Sequence, residues 1–216
     1  MSSLIKAIIF DCDGTLVDSE THSLQVLVDL IAEFGLEVTH EEALERFSGH
    51  ELSVVFAEFE ERLGRKLPGD FLQQFRTRQL PVLAERVTAI DGAGPLLASL
   101  TVPFCVASNA PLNKVTLCLK TAKLDGHFPA ERRFSAYEVE KWKPDPALFL
   151  MAAERLGVAP EHCAVVEDSR FGVQAGLNAG MQTFAYDPHR QFTDRQDVTS
   201  VQRLAELSKW FPTTSE

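Results

Sequence analysis

Two aspartates one residue apart stand in the run Asp11-Cys12-Asp13-Gly14-Thr15, directly after the apolar residues Ile5, Ala7, Ile8, Ile9 and Phe10. That apolar run is too short for a stable helix and rich in β-branched residues, which predicts a strand buried on both faces. Carboxylates held together at the end of such a strand repel each other and lose hydration. A fold tolerates this where a cation lies between them or where one of them reacts. Gly14 lets the backbone turn sharply beside whatever binds there. The ordinary alternative is an acidic turn in which Asp13 caps a following helix. Polar groups recur at three further points: Ser108-Asn109 ends the run Phe104-Cys105-Val106-Ala107, Lys143 opens Lys143-Pro144-Asp145-Pro146, and Glu167-Asp168-Ser169 ends Cys163-Ala164-Val165-Val166.

These points need elements to bring them together. From Ser19 to about Arg86 apolar residues recur at helical spacing: Leu24, Leu27, Val28 and Ile31, then Leu52, Val55, Phe56, Phe59 and Leu63, then Phe71, Phe75, Leu80 and Leu83. Thr39 with Glu42 resembles a capping box, Gly64 ends the third helix, and Pro81 breaks or kinks the fourth. Nothing in this block alternates like a strand. From Ile90 onward strand and helix alternate: helices over 92–99, 112–122, 147–156 and up to Gly180, strands at Phe104, Phe134-Ser135, Cys163 and Thr183–Tyr186, and a tail after Phe211 expected to fray. Fully apolar strands alternating with helices imply an α/β fold, a doubly wound, Rossmann-like parallel sheet with helices on both faces. Residues 1–17 and 88–216 would form that core, and residues 18–87 an inserted all-helical cap domain. Asp11, Ser108 and Asp168 would then share the carboxyl edge of the sheet, where open α/β sheets bind ligands.

The chain has 216 residues, 45% hydrophobic and 24% charged, with a formal net charge of −10. That field repels nucleic acid and anionic membranes, and an anionic substrate would need local positive groups. No apolar segment approaches the ~20 residues that span a bilayer, and the N-terminus lacks a cleavage-site pattern. Cys12, Cys105, Cys118 and Cys163 lie far apart, the last three in apolar contexts and Cys12 between the two aspartates, which reads as a reduced, cytoplasmic protein.

Asp11-Cys12-Asp13-Gly14-Thr15, Ser108-Asn109, Lys143-Pro144 and Glu167-Asp168-Ser169 resemble, in order, the four motifs of haloacid dehalogenase-like phosphohydrolases, and the helical block resembles that superfamily's α-helical cap. The resemblance implies a phosphatase working through an aspartyl-phosphate. Asp11 would be the nucleophile and Asp13 the general acid/base, with Gly14, Thr15, Ser108, Asn109 and Lys143 on the phosphoryl group. Mg²⁺ would be held by Asp11, Asp168 and the Asp13 backbone carbonyl, with Glu167 as a secondary ligand. Lys141 competes with Lys143 for its role, but Lys143-Pro144-Asp145-Pro146 is the closer motif match. Arg46, Gly49 and His50 form a polar break where a cap loop could reach the substrate, or else a simple helix–helix connection. His22 reads as a plain helix residue and His189 as a surface loop residue.

Ile90-Asp91-Gly92-Ala93-Gly94, Ser108-Asn109-Ala110-Pro111 and the segment from Phe134 through Pro146 look most like bacterial 6-phosphogluconate phosphatases, which implies a small phosphorylated sugar or sugar acid as substrate. β-Phosphoglucomutase is the rival within the superfamily. Its functional cap arginine and histidine fall near Leu52 and Ser23 here, with His22 one residue away. A response-regulator receiver module fits the helical insertion and the Asp11/Asp13 spacing badly.

Overall fold

The computed structural model describes residues 4–48 and 50–214. Its centre is β1 (Ala7–Phe10), buried along its whole length. Alternation along this strand divides the core into two layers. Ile8 and Phe10 join one apolar cluster with Val106, Val166 and Phe184, while Ala7 and Ile9 join another with Cys105, Val165 and Phe149. Both faces are therefore covered, as a parallel sheet requires.

β4 (Phe104–Ser108) and β6 (Cys163–Glu167) flank β1 in parallel register. β5 (Arg133–Ser135) lies outside β4, and β7 (Gln182–Tyr186) with β8 (Thr199–Val201) lies outside β6, giving the order β5-β4-β1-β6-β7-β8. The sequence reading lacked β8, because Thr199–Val201 is a short edge strand with one buried residue. α5 (Ala93–Ser99), α6 (Leu112–Thr121), α7 (Ala147–Leu156) and α8 (Arg170–Asn178) are the crossover helices. Because the chain winds outward from β1 in both directions, the crevice at the carboxyl ends of β4, β1 and β6 lies at a topological switch point.

Between β1 and α5 the chain leaves this sheet. α1 (Glu20–Ala32), α2 (His40–Phe47), α3 (Leu52–Leu63) and α4 (Phe71–Arg86) enclose an apolar cluster of their own, centred on Leu30, Phe59, Phe71 and Phe75. Phe34 and Phe56 each meet Phe71 edge-to-face, with ring centroids 5.4 Å and 5.0 Å apart. Thr39 caps α2 through the Glu42 N–H, but Glu42 does not complete the box, because its carboxylate pairs with Arg62. Pro81 neither breaks α4 nor ends it, and the helix runs on to Arg86. The two crossings of the chain are joined by a small antiparallel pair absent from the sequence reading, β2 (Val17–Asp18) with β3 (Thr88–Ala89). Two-residue strands carry no readable alternation.

The tail also departs from expectation. Thr101 N–H donates to Pro212 O at 3.0 Å and Thr214 N–H to Ser99 O at 2.8 Å, so residues 212–214 are tied beside α5. Among the described residues no helix is long and apolar enough to cross a membrane.

Candidate active site

β1 ends at Phe10, and the Asp11 N–H still donates to Val166 O at 2.9 Å, which fixes Asp11 at the mouth of the sheet. Its carboxylate accepts from Lys143, whose Nζ also donates to Glu167 Oε1 at 2.7 Å and to Ala107 O at 2.9 Å. Lys143 reaches this point because Asn109 Oδ1 accepts its backbone N–H at 3.0 Å. Lys143 is 2% exposed and Glu167 1%, so both charges are held almost wholly out of water. Burial works against the ammonium, but Asp11 and Glu167 outweigh it and keep Lys143 protonated. Glu167 is doubly anchored, for its other oxygen accepts from Ser169 N–H and Oγ at 2.8 Å and 2.9 Å.

Asp13 leaves the strand on the other side of the turn. Its carboxylate accepts from the Ser19 hydroxyl, from Lys114 Nζ at 2.9 Å and, at the edge of hydrogen-bonding distance, from Ser108 Oγ at 3.5 Å. It caps no helix. Burial raises its pKa, yet Lys114 and Ser19 more than reverse that, and Asp13 is held below the usual carboxylate range. Asp11 goes the other way: burial pushes it up to about 8, with Lys143 opposing and Glu167 and Asp13 adding to the rise. Two carboxyl groups two positions apart thus differ in proton affinity, Asp11 holding its proton and Asp13 ionised in the metal-free site.

Asp168 follows β6 and accepts from Thr15 Oγ1 at 2.8 Å. Gly14 makes room for it, with φ of 86° and an added Cβ falling 2.1 Å from Asp168 Oδ2. Gly14 N–H donates within the loop to Val17 O at 2.9 Å. The Gly14 N–H and the Thr15 hydroxyl are thus engaged with the loop and with Asp168. The helix cap at this place is Ser169, through Gly172 N–H, which leaves Asp168 free of that task.

Asp11, Glu167 and Asp168 present oxygens within 4.8 Å of one another. Burial, then Glu167 and Asp11, raise Asp168 well above the carboxylate range. On this floor four carboxyl groups (Asp11, Asp13, Glu167, Asp168) meet two ammonium groups (Lys114, Lys143), an excess of two negative charges once all four are ionised. A divalent cation with a preference for hard oxygen ligands fits both the charge and the donor set.

The floor opens into a cavity of about 840 Å³ roofed by the helices of the insertion. Ser23, Gln79 and Arg76 come from the roof, and Tyr137 and Trp142 from the sheet side. Gln79 Nε2 donates to Ser23 Oγ at 2.6 Å, tying α4 to α1 above the site. His50 lines the cavity. Arg46 does not, because it turns outward to Glu58 at 2.6 Å. Gly49 lies outside the described residues. Lys141 is exposed and pairs with Asp145 at 3.7 Å.

Sequence reasoning missed Lys114, Arg76, Tyr137 and Trp142. Lys114 carried a usable signal, because it lies in the first turn of α6. The helix dipole disfavours a cation there. The other three announce nothing locally, since each is an ordinary residue until the insertion meets the sheet.

The model of a family described as haloacid dehalogenase-like hydrolase matches residues 8–186. The 6-phosphogluconate phosphatase of Escherichia coli strain K12 is 37% identical over 208 residues, covering 95% of this chain and 94% of that protein. Hexitol phosphatase A of the same strain is 33% identical over 187 residues, 83% and 82% of the two chains. The crystal structure of a HAD family hydrolase from Deinococcus radiodurans, with bound phosphate and sodium, superposes with a TM-score of 0.77 at 32% identity, covering 95% of this chain and 94% of that one. A conserved haloacid dehalogenase-like protein of unknown function from Agrobacterium tumefaciens gives a TM-score of 0.82 at 31% identity over 95% and 96% of the chains.

Proposed function

From the premise that the chain belongs to the haloacid dehalogenase-like hydrolases, we infer that it is a Mg²⁺-dependent phosphoric monoester hydrolase acting on small phosphorylated sugars or sugar acids, with Asp11 as nucleophile. One observation carries the reading: Asp11, Asp13, Ser108, Lys143 and Asp168 converge at the carboxyl ends of three adjacent strands, beneath a helical roof.

Asp11 Oδ attacks phosphorus as the bond to the leaving alkoxide breaks, giving an aspartyl-phosphate and dividing one slow hydrolysis into two easier steps. Asp13 gives the alkoxide its proton and later takes one from the attacking water. Lys114 keeps Asp13 ionised in the free protein, and an entering phosphoryl dianion competes for that ammonium and raises the proton affinity of Asp13 by like-charge repulsion. Lys143 neutralises phosphoryl charge, and Ser108 Oγ orients a phosphoryl oxygen. Asp11, Asp168 and the backbone carbonyl of Asp13 would hold Mg²⁺, which supplies Lewis-acid neutralisation of the phosphoryl oxygens when bound. The roof keeps water out during the first step and sets the choice of leaving group.

Hydrolysis is favoured over phosphoryl transfer between sugar hydroxyls because the functional histidine and arginine of the resembling mutases fall near Ser23 and Leu52 here, and both of these residues line the cavity. Four free, buried cysteines suit a reducing compartment, in keeping with a cytoplasmic enzyme. The acidic chain suits a small-molecule substrate and neither nucleic acid nor membrane.

The test is phosphate release with Mg²⁺ across sugar phosphates, sugar-acid phosphates and nucleotides, with β-glucose 1-phosphate included and glucose 6-phosphate followed as its product. Asp11→Asn is expected to lower turnover at least about a thousandfold while the circular dichroism spectrum stays unchanged. Substantial phosphate release by this variant would move the nucleophile elsewhere. Glucose 6-phosphate formed without free phosphate would make the protein a mutase.

A further inference from the structure

Arg76 lies on α4, and from there its Nη2 donates to the phenolic oxygen of Tyr137 across the seam between roof and sheet. The guanidinium carbon stands 5.7 Å from the centroid of the Tyr137 ring. Tyr137 in turn meets Trp142 edge-on, with centroids 5.4 Å apart and planes at 84°. All three side chains line the cavity. The other cavity lysines are engaged at the floor, Lys143 with Asp11 and Glu167, and Lys114 with Asp13. Three other arginines of the insertion are ion-paired: Arg46 with Glu58, Arg62 with Glu42, Arg78 with Glu33. Among the described residues, Arg76 makes no ion pair, and its partner is a neutral hydroxyl.

We propose that Arg76 and Tyr137 form a specificity subsite for a second anionic group on the substrate, a carboxylate at the end remote from the phosphoryl group, so that a phosphorylated sugar acid is preferred to a neutral sugar or polyol phosphate. The proposal rests on the phosphatase reading for the phosphoryl end and adds the residue that reads the other end. A guanidinium offers a planar fork of donors that matches a carboxylate two-to-two. A phenol that accepts from Arg76 keeps its own O–H to donate to the same carboxylate. A chain of net charge −10 needs such local cations to hold a doubly anionic ligand. Trp142, which steadies Tyr137, is also the residue before Lys143. One short segment thus fixes the separation between the group that reads the carboxylate and the group that holds the phosphate.

The experiment compares wild type, Arg76→Met and Arg76→Lys with 6-phosphogluconate and with sorbitol 6-phosphate, a neutral polyol phosphate of the same carbon count. In Arg76→Met the ratio of kcat/KM for the acid over the polyol is expected to fall about tenfold to hundredfold, mainly through KM, with part of it restored in Arg76→Lys. An unchanged ratio overturns the proposal, including the case in which both substrates suffer alike, which would make the Arg76–Tyr137 contact a latch that holds the roof down. If wild type releases phosphate from neither compound, the hydrolase reading is decided by the wider panel and not by this pair. Calorimetric binding of the same two compounds to wild type and Arg76→Met then decides: a preference for the acid that disappears with Arg76 upholds the subsite, and equal binding removes it.

Discussion

Lys143 touches Asp11 and Glu167 at once, with Nζ held also by Ala107 O. Replacing it with Met keeps most of the unbranched side chain, removes the ammonium, and leaves two buried carboxyl groups facing each other without a cation. Removing one partner from a buried pair costs about 3–5 kcal/mol, because the remaining charge keeps its desolvation penalty. Lys143→Met is therefore expected to lower the urea midpoint by a corresponding amount and to abolish phosphate release; an unaltered midpoint would show that the network does not hold the floor together. Single residues were unequally legible in the sequence. Lys143 was separable from Lys141 only by the Pro-Asp-Pro that follows it, and the structure puts Lys141 out in solvent beside Asp145. Asp11, Ser108 and Asp168 could be placed because each lies just past an apolar run, so that strand termini alone put them on one edge. Arg76 and Tyr137 are 61 positions apart and meet only when α4 lies over the end of β5.

The elements divide by how their cores are built. The cluster inside α1 to α4 and the two layers on the sheet are made of different residues. Phe71 is 1% exposed at the centre of the helical cluster. Phe71→Ala is expected to cost about 3–5 kcal/mol. Hydrogen exchange should place that loss locally, with amide protection falling in α1 to α4 while β1, β4 and β6 keep theirs. Uniform loss of protection would mean that roof and sheet open as one cooperative unit. Long helices with an apolar stripe and fully apolar strands were readable, because periodicity over ten residues is a strong signal. β2, β3 and β8 were not, since two or three residues hold no period. The persistence of α4 through Pro81 was also hidden, because it depends on what the helix packs against and not on its own sequence.

For the molecule as a whole, the crowded carboxylates tie stability to pH and to cation binding. Asp11 and Asp168 have raised proton affinity in the folded chain. Between the ordinary carboxylate range and about 8, the metal-free fold therefore binds more protons than the unfolded chain, and its stability falls as pH rises through that window. Asp13 has the opposite sign, but its contribution is lost only at more acidic pH. Mg²⁺ binds the deprotonated groups and releases their protons. The rise in Tm on adding Mg²⁺ is accordingly expected to be larger at about pH 8 than at about pH 6; a rise that shrank with pH would place the cation away from this trio. β2 and β3 carry a different consequence. Val17 stands opposite Ala89 and Asp18 opposite Thr88, so the chain departs and returns through a gap about 5 Å wide. To the parallel strands, residues 19–87 are a loop whose ends are already closed, and the length or shape of that loop adds little to the entropy of closure. Another set of helices spliced between Asp18 and Thr88 would leave every parallel register untouched. Asp11, Asp13, Ser108, Lys143 and Asp168 would stay where they are, while the Ser19 contact to Asp13 and the Arg76 contact to Tyr137 would have to be supplied anew by the graft.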